Sequence, residues 1–146
     1  MIIINFKNYV HSEKALKLAK IIERYLPKSV AAVSAVDIYN IAQNTKLIVF
    51  AQHVENVENR QRSSGFVTPN GIKENKASGS LINHSEHQIK IEDISKLIID
   101  FNNLKLKSIV CAPNLNLVEE LLKLKVKPYA IAFEDPKLIA SKKSIM

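Results

Sequence analysis

Ionisable side chains follow a short apolar run near the middle of the chain. The run at residues 80–82 is followed directly by Asn83, His84, Ser85 and Glu86. An apolar run that ends this abruptly predicts a buried strand whose carboxyl end presents a histidine and a glutamate. Parallel α/β sheets place their chemistry at that end of their strands, and histidine and glutamate are common proton donors and acceptors. These residues are therefore candidates for acid–base chemistry.

Two other apolar runs also end in polar side chains. Asn5 and Lys7 follow the first run of the chain, and Glu134 follows the last. If the three strands are neighbours around one edge of a sheet, an amine, an imidazole and a carboxylate converge on a single pocket. Each residue alone has a structural alternative: a solvated lysine, a hydrogen-bonded histidine or a helix-capping glutamate. Together, at the ends of separate strands, they favour a functional site.

Hydrophobic periodicity predicts the elements that position these groups. Short β-branched runs alternate with helical stripes, and this rhythm predicts about six strand–helix units with parallel pairing through right-handed crossovers. The predicted strands cover residues 2–6, 30–36, 46–54, 80–82, 108–112 and 128–133. Ser12 and Asp37 are the predicted caps of the first two helices, and Thr68 precedes a proline that suits the first turn of a third. Asn116 and Glu119 are spaced like a capping pair.

Six units of this kind fall short of the eight that a closed barrel needs. The predicted class is therefore α/β, with either an open sheet or a barrel whose missing quarter is supplied by another segment. At 146 residues the chain is expected to form one domain. Cys111 is its only cysteine, which excludes an intramolecular disulfide and favours a reducing compartment. We expect a cytoplasmic protein, because the sequence contains neither a secretory leader nor a run long enough to span a membrane.

The net charge of +7 does not by itself indicate a nucleic-acid-binding protein. The lysines are spread over every segment, and the aromatic residues, 6% of the chain, do not alternate with them as a base-stacking surface requires. We expect no nucleic-acid or membrane partner. We also expect no metal: His53 lacks a partner at ligand spacing, and His84 and His87 lack a further Cys or His at a useful distance.

Five short motifs are spaced along nearly the whole chain. They are Asn5-Phe6-Lys7, Ala51-Gln52-His53-Val54, Leu81-Ile82-Asn83-His84-Ser85-Glu86, Val110-Cys111 and Phe133-Glu134-Asp135-Pro136-Lys137-Leu138-Ile139. In order and approximate spacing they resemble the motifs of the triosephosphate isomerase family, most closely its short archaeal branch. The Asn-His-Ser-Glu block combined with the upstream Asn-x-Lys is the specific part of this resemblance.

The resemblance implies a (β/α)8 barrel in a single domain over residues 1–146, incomplete because the last two strand–helix units are absent. It implies an isomerase of glycolysis and gluconeogenesis that interconverts dihydroxyacetone phosphate and D-glyceraldehyde 3-phosphate through an enediol(ate), without a cofactor or metal. In this role Lys7 would hold the phosphate, His84 would polarise the carbonyl, and Glu134 would move the proton. Family members form homo-oligomers, so a homo-oligomer is also expected.

The resemblance assigns supporting roles as well. Asn5 and Glu86 match groups that orient the lysine, and Asn5 and Ile139 match residues at the substrate. A helix beginning near Ser85 would disfavour the charged form of the neighbouring imidazole. The loop that begins at Glu134 would close over the intermediate and exclude water.

The sequence also departs from the family pattern. His87 stands where the family usually has arginine, and residues 140–142 replace a glycine-containing tip that caps the phosphate. The chain stops at Met146, before the units that supply most of the phosphate-binding N–H groups. A second hypothesis is therefore a catalytically impaired barrel remnant that acts only as a binding or assembly module.

Overall fold

A single parallel sheet organises the computed structural model, which describes residues 1–58 and 62–134. Within these ranges six strands are hydrogen-bonded in the order β1-β2-β3-β4-β5-β6. The strands are β1 (Ile3–Asn5), β2 (Val30–Val33), β3 (Ile48–Ala51), β4 (Gly79–Ile82), β5 (Lys107–Ala112) and β6 (Ala130–Phe133). The helices are α1 (Ser12–Tyr25), α2 (Ile38–Asn44), α3 (Pro69–Glu74), α4 (Ile91–Leu104) and α5 (Leu115–Lys123). Strands that pair in sequence order are typical of a (β/α)8 barrel, whereas a doubly wound sheet reverses its order.

Alternate residues of each strand enter two different apolar clusters. Among the described residues, those of the inner cluster all come from strands, and its buried members are Val30, Ala32, Phe50, Leu81 and Ile109. The intervening residues pack with the helices in a larger cluster, whose strand members include Ala31, Val33, Val49, Ala51, Ile82 and Val110. This two-residue period is expected for strands that are covered on both faces. Both faces of the sheet are therefore mainly apolar, with Ser80 and Ser108 as buried polar residues within β4 and β5.

Gly79 is required where β4 begins, because two neighbouring strands approach it closely. A Cβ atom there would lie 2.1 Å from the carbonyl oxygen of Lys107 and 2.7 Å from Cζ of Phe50. Phe50 itself is completely buried in the inner cluster. The absence of a side chain at residue 79 thus lets the phenylalanine ring fill the inner face of the sheet.

Asp37 stabilises a different helix from the one that the sequence predicted. Its side chain forms no cap to α2; its Oδ1 instead accepts a hydrogen bond of 2.8 Å from the backbone N–H of Ser12. The predicted cap of α1 is also displaced by one residue, since His11 occupies the cap position without a side-chain hydrogen bond. The buried carboxylate therefore satisfies a free N–H at the start of α1 and compensates for the missing local cap.

Other predicted boundaries were correct in part. Thr68 caps α3, where its Oγ1 accepts from the N–H of Gly71 at 3.2 Å. The cap of α5 is Asn114, which accepts from Leu117 N–H at 2.9 Å, so the predicted pair beginning at Asn116 was wrong. Strand β2 ends at Val33, earlier than predicted, because the chain turns there into a short 3-10 helix. Among the described helices, none has the length and apolarity needed to cross a bilayer.

We predict that Asp37→Ala lowers the free energy of unfolding by about 1–2 kcal/mol, since it leaves the Ser12 N–H without its acceptor. Asp37→Asn keeps an oxygen at the same position and should cost less. Urea denaturation at pH 7 checks both variants. Equal losses for alanine and asparagine would contradict the capping role.

Candidate active site

Side chains from β1, β4 and β6 meet at the carboxyl end of the sheet, as the sequence predicted. The Lys7 Nζ lies 2.8 Å from Oε1 of Glu86, in the turn that follows β4. The His84 Nε2 lies 3.7 Å from Oε1 of Glu134 and 3.5 Å from Nδ2 of Asn5. An ammonium, an imidazole and two carboxylates are therefore neighbours at one edge of the fold.

The ion pair between Lys7 and Glu86 joins the ends of two strands that are not adjacent in the sheet. Its hydrogen bond raises the pKa of Lys7 and lowers the pKa of Glu86, so that both side chains stay charged near neutral pH. The Lys7 side chain is 32% exposed and that of Glu86 is 60% exposed. The ammonium group is therefore fixed in place and yet open to an anion that arrives from solvent.

The main chain of Lys7 is held in an unusual conformation. Its φ is +46°, in the left-handed region that is unfavourable for a residue with a long side chain. Asn5 Oδ1 accepts from the Lys7 N–H at 2.9 Å, and Gln52 Nε2 donates to the Lys7 carbonyl oxygen at 2.8 Å. Gln52 Nε2 also lies 3.2 Å from Asn5 Oδ1, so the three residues form one hydrogen-bond network. Both polar groups of the strained peptide are thus satisfied by side chains from the ends of β1 and β3.

Gln52 and Asn8 line this site, and the sequence analysis assigned neither; Gln52 is the one that holds the Lys7 main chain. It follows β3 directly, just as Asn5 ends β1 and Asn83 follows β4. The rule that selected polar side chains at strand ends, applied also to β3, would have identified it. The resemblance motif that begins at Ala51 contained Gln52, but it carried no role for the side chain.

The turn after β4 sets the orientation of His84. Asn83 has φ +61°, which interrupts the alternation of the strand before the histidine. The backbone N–H of Glu86 donates to His84 Nδ1 at 3.3 Å. In the tautomer that accepts this bond, Nε2 carries the proton of the neutral ring, whereas in the other tautomer Nε2 accepts from Nδ2 of Asn5 at 3.5 Å. Nε2 is the nitrogen that faces Glu134.

A tight turn, and not a helix, follows His84. The expected helix start near Ser85 was wrong, because α4 begins only at Ile91. The side chain of Asn83 instead organises the segment: its Nδ2 donates to the Cys111 carbonyl oxygen, and its Oδ1 accepts from the Ile89 N–H, both at 2.9 Å. The turn is therefore attached to β5 through a single buried amide.

Glu134 has one carboxylate oxygen without a hydrogen-bond partner among the described residues. Its backbone N–H donates to the Ala112 carbonyl oxygen at 2.9 Å, which continues the pairing of β6 with β5. In the side chain, Oε2 is buried and unpaired, while Oε1 is the oxygen near His84. A buried oxygen without a donor is unfavourable unless another molecule supplies one, which makes it a candidate proton acceptor.

A pocket of about 190 Å³ lies beside these groups. It is lined by Asn5, Lys7, Asn8, Gln52, His53, His84, Glu86 and His87. All eight come from the ends of β1, β3 and β4 or the turns that follow them, so the sheet itself builds the cavity. Its volume and its polar lining suit a molecule of a few carbon atoms with a charged group.

The other residues considered in the sequence lie as follows. Cys111 is buried in β5 as a core residue, and burial raises the pKa of its thiol to about 12. His53 stacks on His87 with ring centroids 3.5 Å apart. In the part of the chain that the structure describes, no three His, Cys, Asp or Glu side chains are grouped to hold a metal ion. Ile139 and the rest of the loop after Glu134 lie outside the described residues.

Comparison with known proteins identifies the family. The model of the triosephosphate isomerase family matches residues 1–145. This chain belongs to the triosephosphate isomerase family. It is 36% identical over 151 residues to the triosephosphate isomerase of Sulfurisphaera tokodaii, covering 99% of this chain and 65% of that relative. It is 35% identical over 147 residues to that of Methanocaldococcus jannaschii, covering 97% of this chain and 66% of that relative. The resemblance to the archaeal branch is confirmed.

The fold also matches a solved member of the family. The crystal structure of triosephosphate isomerase from Bartonella henselae superposes with a TM-score of 0.72 at 15% identity, covering 90% of this chain and 65% of that one. The barrel-type fold is thereby confirmed, with six strand units in the described residues. The chain spans about two thirds of the length of the relatives that it matches.

We predict that Gln52→Ala destabilises the fold by about 1–2 kcal/mol, because the Lys7 carbonyl oxygen loses its side-chain donor and the Asn5 amide oxygen loses one of its two donors. Gln43 provides a matched control: it is an exposed glutamine on α2 whose amide donates to the Tyr39 hydroxyl. Urea denaturation of Gln52→Ala and Gln43→Ala checks the difference. Equal stability of the two variants would show that Gln52 does not support the Lys7 peptide.

A second prediction concerns pH. Burial, with a smaller contribution from the neighbouring His87, lowers the pKa of His53 to about 4 from an ordinary 6.5. The unfolded chain then binds a proton that the folded chain does not, so this part of the stability is complete above pH 6.5 and is lost as the pH falls towards 4. Thermal unfolding of the wild type and of His53→Phe between pH 7.5 and 4 checks this. The variant should lose less stability over that range, and equal losses would refute the assignment.

Proposed function

We propose that the chain carries the acid–base residues of a triose-phosphate isomerase and that they interconvert dihydroxyacetone phosphate and D-glyceraldehyde 3-phosphate. Family membership supports the reaction class. The observation that carries the proposal is the approach of His84 Nε2 to Glu134 Oε1 at 3.7 Å, beside a carboxylate oxygen that has no donor among the described residues. A carboxylate and an imidazole are thus neighbours at the carboxyl end of the sheet.

The chemistry follows from these two groups. The carboxylate of Glu134 removes a proton from the hydroxymethyl carbon next to the substrate carbonyl, and the electron pair moves onto the carbonyl oxygen. The Nε2–H of His84 donates a hydrogen bond to that oxygen as negative charge develops on it, which stabilises the enediol(ate). His84 gives its Nε2 proton to the former carbonyl oxygen and takes the hydroxyl proton from the oxygen of the neighbouring carbon, so that the proton passes from one oxygen to the other. The protonated glutamate then returns its proton to the former carbonyl carbon, and the ketose becomes an aldose. No electrons are exchanged with a cofactor.

Lys7 is proposed to bind the phosphate and to stabilise the enediolate electrostatically. Its ammonium is already held by Glu86 at 2.8 Å and is one-third exposed, so a phosphate oxygen can reach another of its protons. Asn5 and Gln52 hold its main chain, and Asn5 also contacts His84. The proposed substrate contact by Ile139, the homo-oligomeric state and the cytoplasmic location stay predictions.

A coupled assay of triose-phosphate isomerisation on the purified chain tests the function. We predict turnover that falls by about 10²–10⁴-fold in Glu134→Gln, which keeps the shape of the side chain but removes the base. Glu120→Gln, an exposed change on α5, is the matched control and should leave the rate unchanged. In deuterated water the product should gain deuterium at the carbon that receives the proton, because the glutamic acid exchanges with solvent.

Two outcomes would contradict the proposal. Turnover that is equal in Glu134→Gln and wild type would remove the glutamate from the mechanism. A folded chain without turnover would favour the alternative, a catalytically impaired module that acts only in binding or assembly.

A further inference from the structure

Two stacked imidazoles form one wall of the pocket, and the proposed reaction does not use them. The rings of His53 and His87 are 3.5 Å apart at their centroids, with 14° between their planes. His53 comes directly after Gln52 at the end of β3, and His87 lies in the turn after β4. The stack is therefore a contact between the ends of two neighbouring strands.

Hydrogen bonding by its ring nitrogens does not explain why a histidine is present at position 53. Both are buried, and neither has a hydrogen-bond partner among the described residues. What the ring contributes is a flat, polarisable face against which the exposed ring of His87 lies. Burial lowers the pKa of His53, so its neutral ring is favoured in the stack. The other ionisable groups lining the same pocket are Lys7 from β1 and His84 and Glu86 from the β4 turn.

The turn from His84 to His87 is short, and hydrogen bonds between its own residues hold it together. The His87 N–H donates to the His84 carbonyl oxygen at 2.7 Å, and the Glu86 N–H donates to His84 Nδ1 at 3.3 Å. Displacement of His87 would therefore also displace His84 and Glu86. On the opposite side, Asn83 attaches the same segment to Cys111 of β5.

We propose that His53 and His87 are positioning residues whose stacked rings attach the β4 turn to the end of β3 and thereby fix His84 and Glu86. The turn is then held from two sides, by a buried amide towards β5 and by the ring stack towards β3. The consequence of this attachment for catalysis rests on the function proposed above, whereas the attachment itself does not.

Substitutions at His87 test the proposal, because this residue is exposed and its replacement does not disturb the core. His87→Ala removes the ring, and His87→Phe restores a flat ring that cannot titrate. The readout is NMR of the isotope-labelled full chain. In His87→Ala the ring-current shift of the His53 ring protons should disappear, and the amide signals of His84 and Glu86 should move. In His87→Phe both should return towards the wild-type values.

His11→Ala is the matched control, since this half-exposed histidine precedes α1 and does not line the pocket. It should leave the amide signals of His84 and Glu86 in place. If the isomerase activity is present, His87→Ala should lower kcat by about 10–100-fold through misplacement of His84, and His87→Phe should recover most of it.

The proposal would be overturned if His87→Ala left the His84 and Glu86 amide signals unchanged, or if His87→Phe failed to restore them. Both readings come from the folded chain without substrate. A chain that shows the NMR changes but no turnover would therefore contradict the proposed function and still support the positioning role.

Discussion

The site depends on the left-handed main chain of Lys7. A long side chain in this conformation costs of the order of 1–3 kcal/mol, and it persists only where its surroundings enforce it. Asn5 holds the N–H of Lys7 and Gln52 holds its carbonyl group, while Glu86 holds the ammonium. Three strand ends, those of β1, β3 and β4, are thereby connected through one residue. The strain is offset by hydrogen bonds, and it directs the cation into the pocket.

The parallel sheet makes this convergence possible. Because the six described strands run the same way in sequence order, all their carboxyl ends lie at one edge. The apolar inner cluster, with Phe50 at its centre and Gly79 giving it room, fills the sheet below that edge. Polar side chains beyond the last apolar residue consequently face a shared space, and a second left-handed residue, Asn83, brings His84 into it. The apolar core fixes where the strand ends lie, and the polar side chains at those ends form the candidate site.

The sequence predicted the parts of this arrangement that follow from period and position. Polar residues after apolar runs correctly placed Lys7, His84 and Glu134 at one edge, because strand direction is fixed by the alternation with helices. It did not predict which group contacts which. Asp37 is a sound local cap in sequence, yet its carboxylate reaches Ser12, since the two segments pack together only in the tertiary fold. Hydrogen bonds between residues that are distant in the sequence cannot be predicted from the local sequence pattern.

The geometry of the turn after β4 was also not predictable from the sequence. The polar residues after β4 are compatible with a helix start, but the left-handed Asn83 and its bonds to Cys111 and Ile89 favour a tight turn. The position of Gln52 directly after β3 was predictable, but its contacts with Lys7 and Asn5 were not. Its function is to hold other residues in place, and such a function is visible only in the contacts.

The ammonium of Lys7, after β1, is held by Glu86, in the turn after β4. NMR titration of the Lys7 side-chain amine in the wild type and in Glu86→Gln tests this contact directly. We expect a wild-type pKa above the ordinary 10.5 and a return towards that value in Glu86→Gln. The same Lys7 pKa in both proteins would contradict it, because the two strand ends would then not meet.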